Sequence, residues 1–178
     1  GMVRMAMRET PAQMLDTLYR FGLGIDSGMG LVGESTGMVP QRRRWSEIEQ
    51  ATLSFGYGVT TTPLQLAQAY AILANGGVRY PLSIVKRNQP PVGEQVIPRR
   101  HADAVLQMLE SVVNPGGTAT RAAIPGYRVG GKTGTSRKAI SGGYGGDYVG
   151  LFAGVAPLSN PRLAMVVVMN EPQGDQYY

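Results

Sequence analysis

Apolar residues recur at helical spacing in four stretches of the chain, and three of these stretches open on a residue type that commonly caps a helix. Thr10 and Thr62 each stand directly before a proline, and Ser46 precedes a short run of the same kind. The predicted helices run from Thr10 to the glycines at 22 and 24, from Trp45 to Leu53, from Thr62 to Asn75, and from about Arg99 to Val113. Because small residues are spread around the third helix, we expect it to be buried on more than one side.

The last third of the chain changes to the alternation that is typical of β-strands. Strands are predicted over Arg128–Ser136, Asp147–Ala156 and Arg162–Met169, after a short helical turn over Thr118–Ala123. A tight connection at Pro157–Pro161 makes the last two strands antiparallel. Both faces of the third strand are apolar and would need helices to cover them, but no helical pattern follows this strand in the chain. The pattern indicates the α+β class, with an antiparallel sheet and helices in one domain.

Composition narrows the chemistry that this fold can carry. The chain has 25 glycines and 12 prolines, which indicates many tight turns, and it has no cysteine, which excludes disulfides and thiolate metal sites. The one histidine, His101, is predicted to lie on the surface near the start of the fourth helix. A Ser-His-Asp triad or a histidine metal centre is therefore not expected.

The charge of the chain limits its partners. A net charge of +5 favours acidic partners or an anionic membrane surface, but no basic stripe is interleaved with aromatic residues, so no nucleic-acid partner is expected. The run Arg42–Arg44 is interpreted as solvated surface, with binding of an acidic partner as the alternative. The longest apolar run, Leu163–Met169, is too short to span a bilayer, so any membrane anchor would lie outside this chain.

The stretch with the most chemistry is Val129-Gly130-Gly131-Lys132-Thr133-Gly134-Thr135-Ser136. Lys132 offers a full positive charge, Thr133 and Thr135 offer hydroxyls, and Gly134 leaves the backbone open to close approach. This combination suits an anion, and charge-assisted contacts of this kind contribute about 1.5–3 kcal/mol when shielded from water. A basic glycine loop without function is the plainest alternative.

A phosphate-binding P-loop is a second alternative, because Gly126 to Thr133 satisfies G-x-x-x-x-G-K-[ST]. A P-loop follows a buried strand and opens a helix, whereas Ala122–Pro125 is short and proline-broken and no helical period follows Thr133. A partial Walker B echo at Met165–Glu171 has Asn170 where an anionic magnesium ligand is needed.

Several motifs in order resemble those of class B penicillin-binding proteins, and the likeness is greatest to their division-specific, penicillin-binding protein 3 type. They are Gly56-Tyr57-Gly58-Val59-Thr60, Leu64-Gln65-Leu66-Ala67, Ala74-Asn75-Gly76-Gly77, Gly116-Gly117-Thr118-Ala119, Ile124-Pro125-Gly126-Tyr127-Arg128-Val129, Gly131-Lys132-Thr133-Gly134-Thr135 and Phe152-Ala153-Gly154-Val155-Ala156-Pro157. The resemblance spans nearly the whole chain. It implies part of a β-lactamase/transpeptidase-like fold.

The resemblance also implies an activity, which is acyl transfer between peptidoglycan stem peptides. A serine attacks the D-alanyl-D-alanine bond and then passes the acyl group to an amine, and β-lactams acylate the same serine. By this resemblance Lys132 and Thr135 are catalytic, and the amide of Thr135 forms half of an oxyanion hole, worth roughly 10²–10³ in rate per donor. Thr133 and Thr135 hold the substrate carboxylate beside Gly134. Tyr148, Tyr177 and Tyr178 are expected to wall the pocket.

The same resemblance implies where the protein works and with what. The partners are stem peptides ending in D-Ala-D-Ala, β-lactam antibiotics and membrane proteins of the division complex. Neither a cofactor nor a metal is implied. The expected location is the periplasm, with the parent protein anchored in the bacterial inner membrane.

The chain departs from the family pattern at the nucleophile. Its only S-x-x-K, Ser83–Lys86, lies in a β-like, proline-flanked run and is interpreted as a coincidence, and no S-x-N stands upstream. We therefore expect residues 1–178 to be the C-terminal portion of a transpeptidase domain, without those two segments and without the helix that ends the domain. Such a portion is expected to be inactive alone and to self-associate through its exposed sheet. A non-enzymatic relative that binds peptidoglycan or division partners is the alternative.

Overall fold

The computed structural model describes residues 1–41, 45–140 and 143–173. The arginine run at 42–44, which was interpreted as solvated surface, and the predicted wall residues Tyr177 and Tyr178 lie outside the described residues. The chain divides into two compact units where the sequence suggested one domain. The first unit holds Gly1–Ala69 and Val78–Val96, and the second holds Tyr70–Gly77 and the residues from Ile97 onward.

The first unit is mainly helical, and its helices begin where the caps predict. It contains α1 (Met2–Ala6), α2 (Pro11–Arg20), α3 (Glu47–Leu53) and the first part of α4 (Pro63–Ala74). The side chains of Thr10 and Ser46 each accept a hydrogen bond from the backbone amide of the residue three positions later. The side chain of that residue accepts one in return from the backbone amide of the cap. The same reciprocal pair joins Thr62 and Gln65 at the start of α4. Only α1 was not predicted.

The most buried polar side chain of the first unit is that of Gln65, which is 1% exposed. Its amide nitrogen donates to the carbonyls of Ile25 and Thr36, at 2.7 and 2.8 Å. The glutamine therefore fixes the long glycine-rich loop against α4 and satisfies two carbonyls that burial would otherwise leave unpaired. No residue of α4 after Pro63 is exposed, which confirms the predicted burial on several sides.

The first unit also contains a two-stranded antiparallel sheet of β1 (Val78–Arg79) and β2 (Glu94–Gln95). The connection between these strands is irregular and includes Ser83, whose hydroxyl is engaged in a local turn with Val85. Ser83 and Lys86 therefore do not share a helix face. This geometry agrees with the interpretation of the S-x-x-K as a coincidence.

The second unit places α5 (Arg99–Glu110) against a three-stranded antiparallel sheet. The strands are β3 (Gly130–Ile140), β4 (Gly143–Ala156) and β5 (Leu163–Asn170), in the order β3-β4-β5, and a short 3₁₀ helix (Thr120–Ala122) precedes them. The α+β assignment and the antiparallel pairing are confirmed. The hairpin between β3 and β4 extends further than predicted, because ladder hydrogen bonds form along a glycine-rich stretch whose side chains give no strand signal.

The sheet is unevenly covered. Ala153 and Val155 of β4 are each 1% exposed, whereas Leu163, Met165 and Met169 of β5 are 67%, 59% and 59% exposed. For the residues that the structure describes, the exposed side chains of β5 agree with the expectation of an exposed sheet face. In these same stretches of chain, no helix has both the length and the apolar character needed to cross a bilayer.

Candidate active site

The Lys132–Thr135 stretch lies in β3, at one edge of the sheet. Lys132 pairs with Ala153 and Thr135 with Gly150, so β4 occupies one side of the strand, and in the described part of the chain no strand pairs with the other. An edge strand presents unpaired amide and carbonyl groups to which an extended peptide can add.

The position of Lys132 inside a strand overturns the P-loop alternative. A P-loop lysine stands at the mouth of a helix, whereas the residues from Gly130 to Ile140 form a strand. Gly126 lies in a turn closed by the Ile124–Tyr127 bridge, and not at the end of a buried strand. The nucleotide-binding hypothesis is wrong.

Strand alternation places the hydroxyls of Thr133 and Thr135 on one face of the sheet, about 6.8 Å apart along the strand. On the same face, the ring of Phe152 lies over Gly131. A Cβ at Gly131 would stand 2.4 Å from the Phe152 ring and 2.6 Å from the Ala153 carbonyl oxygen. Only glycine allows β3 and β4 to pair under that ring. The two hydroxyls therefore project from a tightly packed support.

The side chain of Lys132 starts on the opposite face, and its ammonium turns back along the strand. It donates to the carbonyl oxygen of Thr133 at 2.6 Å and remains exposed. A positive charge thus lies at the backbone of Thr133, on the same strand as the two hydroxyls. This arrangement can receive a carboxylate with charge-assisted hydrogen bonds.

A third threonine, from outside the strand, contacts the row of hydroxyls formed by Thr133 and Thr135. The Oγ1 atoms of Thr118 and Thr133 are 2.9 Å apart, which is a hydrogen bond between two hydroxyls. Thr118 belongs to the glycine-rich segment that follows α5. The sequence identified this segment as a motif that resembles the family, but it did not predict the contact.

The start of β3 is tied to the end of α5 by an ion pair. The guanidinium of Arg128 donates to both carboxylate oxygens of Glu110, at 2.7 and 2.6 Å. This hydrogen bonding, with the attraction between the charges, lowers the pKa of Glu110 and raises that of Arg128. The forked geometry gives direction as well as attraction, so it sets the angle at which β3 leaves the helix.

The predicted wall residue Tyr148 lies on β4, directly opposite Arg137. The Arg137 guanidinium carbon is 5.7 Å from the centre of the Tyr148 ring, and Nε donates to the phenol oxygen at 3.3 Å. Arg137 shares the face of Thr133 and Thr135 because it follows them at two-residue steps. The structure therefore brings Tyr148 to the same face as these threonines, one step further along the hairpin.

Three contributions to this region were missed from the sequence: Thr118, the Glu110–Arg128 pair and Arg137. The first two join residues 15 and 18 positions apart, beyond any helix or strand period. Arg137 had a signal, since it continues the alternation of Thr133 and Thr135. It was overlooked because the strand was predicted to end at Ser136.

The comparisons with known proteins agree with this geometry. The family of penicillin-binding protein transpeptidase domains matches the chain over residues 1–178. The chain belongs to that family. The peptidoglycan D,D-transpeptidase FtsI of Escherichia coli (strain K12) is 49% identical over 179 aligned residues, and the match covers all of this chain and 30% of that protein. The probable peptidoglycan D,D-transpeptidase PenA of Neisseria gonorrhoeae is 40% identical, with all of this chain and 31% of that protein covered.

A solved structure extends the likeness to the fold. The transpeptidase domain of penicillin-binding protein 3 from Burkholderia pseudomallei, in its apo form, superposes with a TM-score of 0.94 at 41% identity. The match covers 99% of this chain and 54% of that one. The chain thus spans about a third of the curated relatives and about half of this solved domain.

Proposed function

We propose that this chain is the K-T-G part of a peptidoglycan D,D-transpeptidase that cross-links stem peptides at the division septum. In this proposal a serine outside residues 1–178 forms an acyl-enzyme with peptides ending in D-Ala-D-Ala, and β-lactams acylate the same serine. The observation that carries the proposal is the edge strand itself, on which Lys132, Thr133 and Thr135 stand in the register of β3 beside an open backbone edge. Membership of the family supports it.

Each residue of the strand has a part in the proposed reaction. The hydroxyls of Thr133 and Thr135 hold the terminal carboxylate of the donor peptide, and the Lys132 ammonium neutralises its charge. The amide of Thr135 stabilises the oxygen that becomes negative in the tetrahedral intermediate, which contributes roughly 10²–10³ in rate. Gly134 keeps the backbone beside these groups free of a side chain. Tyr148 walls the binding groove, and Tyr177 and Tyr178 are proposed to do the same.

This chain holds and polarises the substrate, but it does not supply the attacking group. Ser83 lies in an irregular loop with its hydroxyl engaged in a local turn, which supports a nucleophile in another segment. The proposed domain assignment is the C-terminal portion of a transpeptidase domain, which lacks the S-x-x-K and S-x-N segments. The partial coverage of the solved domain, 54%, supports it. Positioning without a nucleophile leaves no covalent step, so the chain alone is inactive.

The proposed setting is the periplasm, with the parent protein anchored in the bacterial inner membrane and working with membrane proteins of the division complex. The E. coli relative is a peptidoglycan D,D-transpeptidase, and this supports the proposed substrate. The net charge of +5 suits the anionic cell-wall and membrane surfaces of that location.

A fluorescent penicillin tests the proposal. The complete parent protein should form a covalent adduct, and residues 1–178 alone should form none. In the parent, Thr135→Val should slow acylation about 10- to 100-fold, because a hydrogen bond to a charged carboxylate is lost. Thr61→Val, the same change at an exposed residue of the first unit, should leave the rate unchanged.

The possible outcomes separate the candidate functions. An adduct on residues 1–178 alone would contradict the assignment of the nucleophile to another segment. A parent protein that binds peptidoglycan fragments but is never acylated would support the non-enzymatic alternative.

A further inference from the structure

Thr118 has no part in the proposed mechanism, but its hydroxyl contacts that of Thr133, which is proposed to bind the substrate carboxylate. Its Oγ1 lies 2.9 Å from Thr133 Oγ1, and the two residues are 15 positions apart in the chain. Thr118 is exposed and Thr133 is half-buried, so the contact lies where the row of hydroxyls opens to solvent.

The backbone around Thr118 is held in place from both sides. Gly117 donates to the carbonyl of Asn114 at 2.8 Å, and Ala119 donates to the carbonyl of Val112 at 2.9 Å. A Cβ on Gly117 would stand 2.2 Å from the Val112 carbonyl oxygen, so only glycine lets the segment pack this closely on the end of α5. These contacts fix the backbone on both sides of Thr118, from which its hydroxyl reaches Thr133. The hydrogen bond to Thr133 is therefore built into the fold.

The direction of this hydrogen bond follows from the donors that the ligand needs. A hydroxyl carries one hydrogen and two lone pairs, and a carboxylate can only accept. If Thr133 donated to Thr118, it would have no hydrogen left for the carboxylate. With an anion bound, Thr118 must be the donor, and the hydrogen of Thr133 is then free to point at the ligand.

We propose that Thr118 is a positioning residue that donates to Thr133 and so orients the Thr133 hydroxyl toward the substrate carboxylate. The inference rests on the proposed function, since it assigns Thr118 to the carboxylate-binding step of that reaction. A chain of two hydroxyls that ends on a charge is polarised along its length, so each bond strengthens the other. Thr118 acts through Thr133 and does not touch the ligand.

The test compares Thr118→Val with Thr118→Ser in the complete parent protein, using the second-order rate of acylation by a penicillin. Valine keeps the shape of threonine but has no hydrogen to donate, so the rate should fall about 3- to 10-fold, which is the effect expected of one hydrogen bond. Serine keeps the hydroxyl and should restore at least half of the wild-type rate. Thr120→Val, the same change two residues further along an exposed turn, should have no effect.

Two further measurements separate orientation of a hydroxyl from general support of the fold. In a Thr133→Val background, Thr118→Val should cost no further rate, because the hydroxyl to be oriented is already gone. A penicillin whose carboxylate is esterified should react equally with wild type and Thr118→Val. If Thr118→Val folds poorly, Thr118→Ala serves in its place with the same expectations.

The outcomes distinguish this inference from the function on which it rests. If the wild-type parent is not acylated, the proposed function fails and the inference fails with it. If the wild type is acylated and Thr118→Val reacts at the same rate, only the inference is overturned. It is also overturned if the loss in rate persists with the esterified penicillin or in the Thr133→Val background.

Discussion

The two edge strands of the three-stranded sheet, β3 and β5, differ in how their side chains are covered. At the β3 edge, polar groups are satisfied from within the chain: Thr133 by Thr118, and Arg128 by Glu110. At the β5 edge, Leu163, Met165 and Met169 stand largely in solvent. One edge is polar and organised, and the other is apolar and uncovered, although the same strand β4 pairs with both.

The difference shows which part of the architecture this chain can build by itself. The hydroxyl row needs a partner such as Thr118, which lies 15 positions before Thr133, and that partner is present in this chain. The apolar face of β5 is the kind of surface that proteins cover, since soluble chains seldom leave several large side chains exposed together. A change at the packed edge should therefore alter stability, and a change at the apolar edge should alter association.

The largest loss of stability is expected from a substitution at Gly131, where an added side chain has no space. Gly131→Ala would place a Cβ 2.4 Å from the Phe152 ring and 2.6 Å from the Ala153 carbonyl oxygen. The ring can move, but the carbonyl belongs to the β-ladder, so the strands must separate. We expect unfolding in denaturant to show a loss of about 1–3 kcal/mol, as for other overpacked sites.

Gly146→Ala is the matched control for Gly131→Ala, because it lies in β4 with nothing within 4 Å of the added Cβ. It should change stability by less than about 0.5 kcal/mol, as surface substitutions usually do. Equal losses for the two alanines would mean that the close approach over Gly131 does not limit the fold.

The next largest effect is expected on self-association, through the exposed apolar side chains of β5. We expect residues 1–178 to self-associate through β5, and Met165→Lys to weaken that association on the order of tenfold, because a buried methionine contributes about 1.5–3 kcal/mol. Sedimentation over a range of concentrations measures it. Ile48→Lys, at a side chain that is 76% exposed on α3, is the control and should leave association unchanged. A wild-type chain that stays monomeric at high concentration would contradict the expectation.

The contrast between the edges also explains what could be predicted from the sequence. The caps at Thr10, Ser46 and Thr62 were predicted correctly because a cap and its partner lie three residues apart, within one local pattern. The motif around Lys132 was recognised because its residues are contiguous in the sequence. Its placement on a strand followed from the absence of a helical period after it.

The contacts that support the candidate site could not be predicted in the same way. Thr118 and Thr133 are joined only because Gly117 packs on the turn that follows α5, and no period in the sequence encodes that contact. The extent of the β3–β4 hairpin was missed because backbone pairing dominates where side chains are small. Helix α1 was missed because it is a single short stretch with no capping side chain.

The smallest effect is expected at the ion pair that anchors β3 to α5. Glu110→Gln removes the charge but keeps the shape, so Arg128 loses its forked acceptor. Both side chains are partly exposed, and exposed ion pairs contribute little to stability. We expect a slight fall in the thermal midpoint at neutral pH, clearly smaller than that of Gly131→Ala. Asp103→Asn, on the same helix but with a looser 3.6 Å contact, is the matched control.

The pH dependence of this small effect identifies its cause. The hydrogen bond from Arg128 lowers the pKa of Glu110 in the folded state, so folding is favoured when the carboxylate is ionised. The contribution is complete above the ordinary carboxyl pKa of about 4.3 and is lost as the pH falls through the lowered, folded-state value. Wild type and Glu110→Gln should therefore differ in thermal midpoint at pH 7 and converge in acid. A difference that stays constant down to pH values well below that range would mean that the glutamine acts through packing, and that the charge of Glu110 does not hold β3 in place.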